Sequence, residues 1–152
     1  KEKEKYGRLP LHYVEHGASE AVVLALQQAY PEAAKEKDRG EMLPLHCAVL
    51  SGASGAVVAA LQQAYPEAAK EKDGSGRLPL HCAVEKGASE AVVAALQQAY
   101  PEAVKEKDMR GRLPLHYVGS GASVAVVLAL QQAYPEAAKE KEKYGMLPLH
   151  CA

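Results

Sequence analysis

The residues of this chain that could do chemistry are histidines that stand beside cysteines. The tetrapeptide Leu-Pro-Leu-His begins at positions 9, 43, 78, 113 and 147, and a cysteine follows the histidine at Cys47, Cys82 and Cys151. Zinc sites use both kinds of side chain, and a cysteine beside a histidine is also a candidate nucleophile. A zinc site needs about four ligands around one point, whereas a nucleophile needs a base within about 3.2 Å and a third, orienting group.

The spacing of these residues argues against either kind of site. Successive residues on a helix point about 100° apart, and equivalent residues of packed neighbouring helices lie about 8–10 Å apart. His12 and His16 have the i, i+4 spacing that can chelate an ion, but the pair is not repeated, and we interpret His16 as a surface histidine. The glycines are dispersed and form no phosphate-binding loop. We therefore predict that the chain is not an enzyme and uses no metal or other cofactor.

The same histidines define a repeat. They follow one another at intervals of 34, 35, 35 and 34 residues, and self-similarity in this range is typical of stacked-repeat proteins. Full units start near Leu9, Leu43, Leu78 and Leu113, and a partial unit covers 147–152. No linker or change of composition divides the chain. We expect residues 1–152 to form a single domain in which each unit packs only on its neighbours.

The third unit shows how each repeat is expected to fold. Pro79 suits the first position of a helix that runs to Lys86, and Gly87 suits the residue just past its end. Ser89 is a candidate N-cap of a second helix with valine and leucine on one face, and Pro101 interrupts that helix. A polar, glycine-containing stretch follows, which predicts a turn projecting from the stack.

Two helices and a projecting turn, on this residue pattern, resemble the ankyrin repeat. The frame of that family, D-x-x-G-x-T-P-L-H-x-A-x-x-x-G followed by a V-V-x-x-L-L helix, is matched in the third unit by Asp73, Gly76, Pro79, Leu80, His81, Ala83, Gly87, Val92 and Leu96. The resemblance covers essentially the whole chain, although Leu78 replaces the family's threonine and Gln97 replaces its second leucine. It implies an all-α helix-turn-helix solenoid, and histidine rings that hydrogen-bond to backbone of their own or the next turn. It also implies a concave face that binds protein.

Units one and four depart from the other two full units. After the histidine they read Tyr-Val and reach the following glycine one residue sooner, whereas units two and three read Cys-Ala-Val. Since one residue corresponds to about 100° of helix, we expect a tightened end to the first helix in these two units.

Variable positions within this repetitive chain are the candidate partner-binding residues. They cluster at the turn tips and on the exposed side of the first helix, where the ankyrin resemblance places the contact surface. Tyrosine, methionine and arginine, which are enriched in interfaces, occur among them. The candidates are Tyr6, Arg8, Arg39, Met42, Leu50, Ser75, Arg77, Glu85, Lys86, Met109, Arg110, Arg112, Tyr144 and Met146. Drift at unconstrained surface positions is the alternative explanation of the same variation.

The tyrosines of the Tyr-Pro pairs form a regular series, Tyr30, Tyr65, Tyr100 and Tyr134. A platform for stacking bases is one interpretation. We favour a packing role in the seam between units, where each hydroxyl needs a hydrogen-bond partner.

Composition narrows the choice of partner and compartment. A net charge of −1 does not favour binding to nucleic acid or to a membrane surface. No apolar run of about 18 residues is present, so no membrane-spanning helix is predicted. The start of the chain lacks the apolar core of a secretory signal. Three repeat-equivalent cysteines are typical of small buried residues, so we expect a reducing, cytoplasm-like compartment. The absence of Phe, Trp, Ile, Asn and Thr indicates either recent duplication in a biased genome or deliberate engineering.

Two functions are consistent with these features. The first is a protein-protein interaction scaffold or binder that uses the concave face and turn tips of an ankyrin-like array. The second is a structural protein that self-associates end to end, because the sequence starts and ends within a repeat and shows no polar capping unit.

Overall fold

The computed structural model describes residues 6–14, 19–119 and 122–148, and within these ranges the regular structure is entirely helical. The α-helices are α1 (Glu20–Ala29), α2 (Pro44–Leu50), α3 (Gly55–Ala64), α4 (Pro79–Lys86), α5 (Glu90–Ala99) and α6 (Val124–Ala133). Short 3-10 helices cover Pro10–Tyr13, Pro31–Lys35, Pro66–Lys70, Pro101–Lys105, Pro114–Tyr117 and Pro135–Lys139. The predicted all-α fold class is confirmed.

The first helix of each unit is started by proline and by the histidine ring. In the third unit, Pro79 occupies the first helical position, where its missing N–H leaves no bond unmade. Leu78 has no side-chain oxygen to cap the helix, but the Nδ1 atom of His81 accepts the backbone N–H of Leu78 at 3.1 Å. The helix ends at Lys86, and Gly87 follows with a left-handed backbone, φ 68°. The predicted bounds of this helix are therefore confirmed.

The second helix of each unit is capped by serine and ended by the Tyr-Pro pair. The hydroxyl of Ser89 accepts the backbone N–H of Val92 at 3.4 Å, and the same contact recurs at Ser19, Ser54 and Ser123. Proline cannot donate the next helical bond, so the helix stops and a 3-10 turn follows. Val92 and Leu96 point into the core, as their spacing predicts.

Successive units pack through equivalent elements. The helix α2 contacts α4, while α1 contacts α3 and α3 contacts α5. Pro44, Pro79 and Pro114 are buried, whereas Pro10 of the first described unit is exposed. Leucines and alanines fill the space between these layers, so the core is one continuous cluster running through the units.

Units one and four differ from the others throughout their first helix. Each begins with a 3-10 helix of four residues, where units two and three have α-helices of seven and eight residues. The predicted tightening therefore affects the whole element and not only its end.

Alternating charges on the outer edge form a ladder of ion pairs between neighbouring units. Lys37 contacts Glu71 at 2.9 Å, Lys72 contacts Glu106 at 2.8 Å and Lys107 contacts Glu140 at 2.9 Å. The tyrosine series lies beside this ladder, half-buried, and the Tyr65 hydroxyl reaches the Glu71 carboxylate at 3.4 Å. The predicted packing role and hydroxyl partner are confirmed.

Candidate functional site

The turns that join the units are shaped by buried carboxylates. In the third turn, Asp73 Oδ1 accepts the backbone N–H groups of Ser75 at 2.8 Å and Arg77 at 2.9 Å. Its other oxygen accepts Arg77 Nε at 2.9 Å. Asp108 makes the corresponding bonds in the fourth turn, whereas Asp38 accepts the N–H groups of Gly40 and Met42 but takes its arginine, Arg8, from the preceding turn. Each turn therefore has a fixed backbone, and an arginine is held against it by a charge-assisted hydrogen bond.

The electrostatics of these turns favour ionised carboxylates. Burial raises the pKa of Asp38 and Asp108, but hydrogen bonds from Arg8 to Asp38 and from Tyr117 to Asp108 act in the opposite direction, as do backbone N–H groups. The net effect lowers the pKa of both carboxyls. In the fifth turn Glu142 takes the place of aspartate, and its Oε1 accepts the N–H groups of Tyr144 and Met146 at 2.7 and 3.1 Å.

Neighbouring turns are joined by single backbone hydrogen bonds. The N–H groups of Arg39, Gly74, Met109 and Lys143 donate to the carbonyls of Tyr6, Gly40, Ser75 and Arg110 at distances of 2.9–3.1 Å. A Cβ atom at Gly74 would lie 2.9 Å from the Gly40 carbonyl oxygen, so a side chain at this position would force these two turns to shift. We call the surface formed by residues 6–8, 39–42, 74–77, 109–112 and 143–146 the turn surface.

Tyr117 adds a further network at the fourth unit. Its hydroxyl donates to Asp108 Oδ2 at 2.6 Å and accepts from Arg112 Nη2. The Arg112 guanidinium carbon lies 4.2 Å from the ring centroid, and the ring edge packs on His81 of the preceding unit at 5.7 Å. Burial raises the pKa of Tyr117 well above its usual value, so the hydroxyl remains a donor. This network fixes the position of Arg112.

The structure groups the predicted site residues around two grooves of the turn surface. Ser75, Arg77, Glu85, Met109, Arg110 and Arg112 line a groove of about 450 Å³. Tyr6, Arg8, Arg39 and Met42 line a second of about 270 Å³. Leu50 lies instead in a neighbouring cavity with Arg8 and Met42, while Lys86, Tyr144 and Met146 line none of these three cavities. The candidates therefore form adjacent groups and not one continuous pocket.

Exposure separates the candidates further. Met109 and Tyr144 are 71% and 73% exposed, and Tyr6 and Met146 are also exposed. Met42 was expected to be exposed because of its place at a turn tip, and this was wrong: its side chain is half-buried beside Gly40. Arg8, Arg77 and Arg112 are partly buried by the ion pairs described above. These three therefore have a structural role in addition to any role in binding.

The anchor histidines join one unit to the next. The Nε2 atoms of His46 and His81 face the backbone carbonyls of Arg77 and Arg112 at 3.2 Å, and since carbonyls only accept, each Nε2 carries the hydrogen. Burial lowers the pKa of both histidines to about 4, so the rings are neutral at pH 7. The predicted backbone hydrogen bonds are thus confirmed for these two units.

The cysteines have the surroundings of core residues. Cys47 and Cys82 are buried, and burial raises the pKa of their thiols to about 11 and about 12. A thiol with such a pKa is a poor nucleophile at neutral pH. Within residues 6–14, 19–119 and 122–148, no three side chains of His, Cys, Asp or Glu cluster as metal ligands would. His16 and Cys151 lie outside the described residues.

The carboxylates Asp38, Asp73, Asp108 and Glu142, together with Tyr117, were not among the site residues predicted from the sequence, although Asp73 was matched to the ankyrin-like frame. An acidic residue follows the Lys-Glu-Lys runs at 35–37, 70–72, 105–107 and 139–141, and this recurrence was the available signal. It was hidden because a run of alternating charges also has the pattern of a solvated edge.

Comparison of the chain with protein-family models and with curated proteins finds no match. None of the helices in the described ranges is both long and apolar enough to cross a membrane.

The predicted end-to-end association stays a prediction, because it involves residues 1–5 and 149–152, which lie outside the described residues. Light scattering at tens of micromolar protein would test it, and a monomer would exclude it.

Proposed function

We propose that this chain is a non-enzymatic protein-binding module, built as an ankyrin-like array, that uses its concave face and turn tips as a scaffold or binder. One observation carries the proposal: a repeated backbone presents side chains that differ from unit to unit. The buried aspartates and turn-to-turn hydrogen bonds hold that backbone. Around the 450 Å³ groove, the variable side chains include Ser75, Met109 and Arg110.

Preorganisation is the physical reason why such a surface binds well. A partner that docks on a fixed backbone does not have to order it, so less of the interaction free energy is lost on binding. Exposed Met109 supplies apolar contact area, and the arginines supply directed hydrogen bonds. The buried, high-pKa thiols fit a reducing compartment, which is the localisation that we propose.

The experiment is an unbiased selection followed by mapping. Peptides or small domains selected for binding from a display library would be titrated against the unchanged chain and against Met109→Ala with Arg110→Ala. We expect the double variant to raise Kd at least about tenfold, since interface energy concentrates in a few residues. A matched control changes Glu67 and Glu102 to alanine, which are exposed and outside the turn surface. Binders that respond only to the control pair, or a selection that yields no binder, would contradict the proposal.

A further inference from the structure

The arginines of this chain are confined to the turn surface. All five of them, Arg8, Arg39, Arg77, Arg110 and Arg112, occur there. The 13 lysines that complete the total of 18 basic residues stand mainly in the Lys-Glu runs, where several are paired with glutamates. Arginine presents a planar fork of donors that matches a carboxylate, whereas lysine is a hydrated point charge. The distribution therefore concentrates carboxylate-recognising groups on one surface.

These cations differ in how much of their hydrogen-bonding capacity is already used. Arg77 is held by Asp73 and Glu85, and Arg112 is held by Asp108 and Tyr117. By contrast, Arg39, Arg110 and Lys143 are exposed, and their side chains make no ion pair with any residue that the structure describes. Three cations thus remain available at the second, fourth and fifth turns.

The groove beside Arg110 shows what kind of anion these cations can take. Two partly used arginines, Arg77 and Arg112, line the same groove, and Met109 stands at its rim. Two carboxylates line the groove as well: Asp108 is buried and accepts four hydrogen bonds, and exposed Glu85 is paired with Arg77 at 2.8 Å. Both are already bound by groups of the chain, and the three arginines still outnumber them. An incoming carboxylate would therefore meet an excess of cationic donors, with an apolar surface next to it.

We propose that the turn surface binds an extended acidic peptide whose carboxylates are separated by apolar residues. This inference rests on the proposed protein-binding function and specifies its partner. A polynucleotide is disfavoured because its charges follow one another closely, about 1.7 Å apart along duplex DNA. Here the cations are interrupted by Met109, Tyr144 and the exposed carboxylates of Glu41 and Glu85.

The repeat sets the spacing of the acidic residues. Packed neighbouring helices lie about 10 Å apart, and an extended chain advances about 3.3 Å per residue, so one unit corresponds to about three peptide residues. Arg39 and Arg110 are two units apart, and Lys143 is one unit further. The matching peptide carries carboxylates about six and then about three residues apart.

The test uses a fluorescein-labelled decapeptide with glutamate at positions 1, 7 and 10 and alternating leucine and serine elsewhere. Its Kd for the full chain would be measured by fluorescence anisotropy, and compared with that of a peptide of equal composition whose glutamates are adjacent. We expect the spaced peptide to bind at least about fivefold more tightly, and expect Arg39→Gln with Arg110→Gln to raise its Kd about tenfold. Binding should weaken between 50 and 500 mM NaCl because these charges are exposed.

The matched control is Lys70→Gln with Lys105→Gln, which removes the same charge from exposed lysines outside the turn surface. It should leave Kd within about twofold, and thermal melts of both double variants verify folding. Equal binding of the two peptides, equal losses in the two double variants, or stronger binding of a twelve-residue oligothymidylate would each overturn the inference. If the acidic probe fails while binders selected from the display library still respond to the Met109 and Arg110 substitutions, the protein-binding function stands and the acidic specificity falls.

Discussion

Glu41 is a residue in a backbone conformation that the other turns assign to glycine. Its φ is 58°, and the equivalent positions in the other turns are Gly7, Gly76, Gly111 and Gly145, all with positive φ. A side chain in this left-handed region costs about 1–2 kcal/mol. The second turn therefore carries a local strain that the other four avoid.

We expect Glu41→Gly to stabilise the protein by about 0.5–1 kcal/mol, because relief of the strain exceeds the added freedom of glycine in the unfolded chain. Urea unfolding followed by circular dichroism would measure the change. Gly145→Ala is the matched reverse control, since a Cβ atom there meets nothing within 4 Å and only the backbone conformation is affected. It should destabilise by about 1 kcal/mol. A lower urea midpoint for Glu41→Gly than for the unchanged chain would show that the backbone conformation of Glu41 does not destabilise the protein.

At this scale the sequence was informative for the histidines and misleading for the aspartates. In each described Leu-Pro-Leu-His, the histidine Nδ1 accepts the N–H of the leucine three residues earlier, and a backbone partner of this kind was predicted from the ankyrin-like frame. Asp73 follows a charged run, and its burial depends on the turn closing over it. That closure involves Arg77 and backbone N–H groups, which periodicity of apolar residues does not report.

At the scale of the element, units one and four show the effect of a single missing residue. Their first helices are 3-10 turns, and Val118 follows Tyr117 with an extended backbone, ψ 109°. Burial lowers the pKa of His12 and His116, and this effect outweighs the opposing influence of Asp38 at His12 and of the Glu140 backbone at His116. Neither Nε2 atom, however, forms a hydrogen bond within the described residues. The sequence predicted the tightening but not this loss.

Inserting one alanine between Tyr117 and Val118 should convert the 3-10 helix into an α-helix of seven or eight residues, as in units two and three. Backbone chemical shifts of residues 114–119 would report the change, and the mean residue ellipticity near 222 nm should become more negative. The same insertion between Cys82 and Ala83 is the control. It rotates buried Val84 by about 100° out of register, so it should destabilise the protein. Unchanged chemical shifts at 114–119 would show that the neighbouring units, and not the residue count, impose the 3-10 form.

For the whole molecule, the neutral histidines make stability depend on pH. His46 and His81 titrate at about 4 in the folded chain, against the ordinary value of 6.5. Between these values the unfolded chain binds more protons, so the free energy of unfolding falls as pH falls from about 6.5 to about 4. The lowered pKa values of His12 and His116 act in the same direction. Asp38 and Asp108 also have lowered pKa values, so protonation of their carboxylates reduces the free energy of unfolding in a separate range, at lower pH.

We expect the two deeply buried histidines to account for about 3 kcal/mol each over this range, since one pKa unit is about 1.4 kcal/mol. Urea unfolding at pH 7.5, 6 and 5 would measure the slope. His81→Gln should reduce that slope by roughly one proton while lowering stability at pH 7.5. A slope identical in this variant and the unchanged chain would show that His81 does not titrate in this interval.

The repeat and the all-α fold could be predicted because each unit contains the same pattern of prolines, glycines and regularly spaced apolar residues. The candidate surface could be predicted only as a set of variable positions. Which of them meet in a groove depends on the offset between neighbouring turns, and one sequence does not report that offset. The sequence therefore did not distinguish Arg39 and Arg110 from Arg77 and Arg112. The structure distinguishes them, because Arg77 and Arg112 are paired with Asp73 and Asp108.

Because some histidines bond to the next unit and others do not, the junctions between units should also differ in their resistance to force. The junctions after units two and three each have a ring-to-carbonyl bond, at His46 and His81, whereas the Nε2 atoms of His12 and His116 make no such bond to any residue that the structure describes. Under tension applied to the two ends, the outer junctions would yield first and the pair of long units would separate last. We therefore expect the shorter units to mark where the chain separates first under load.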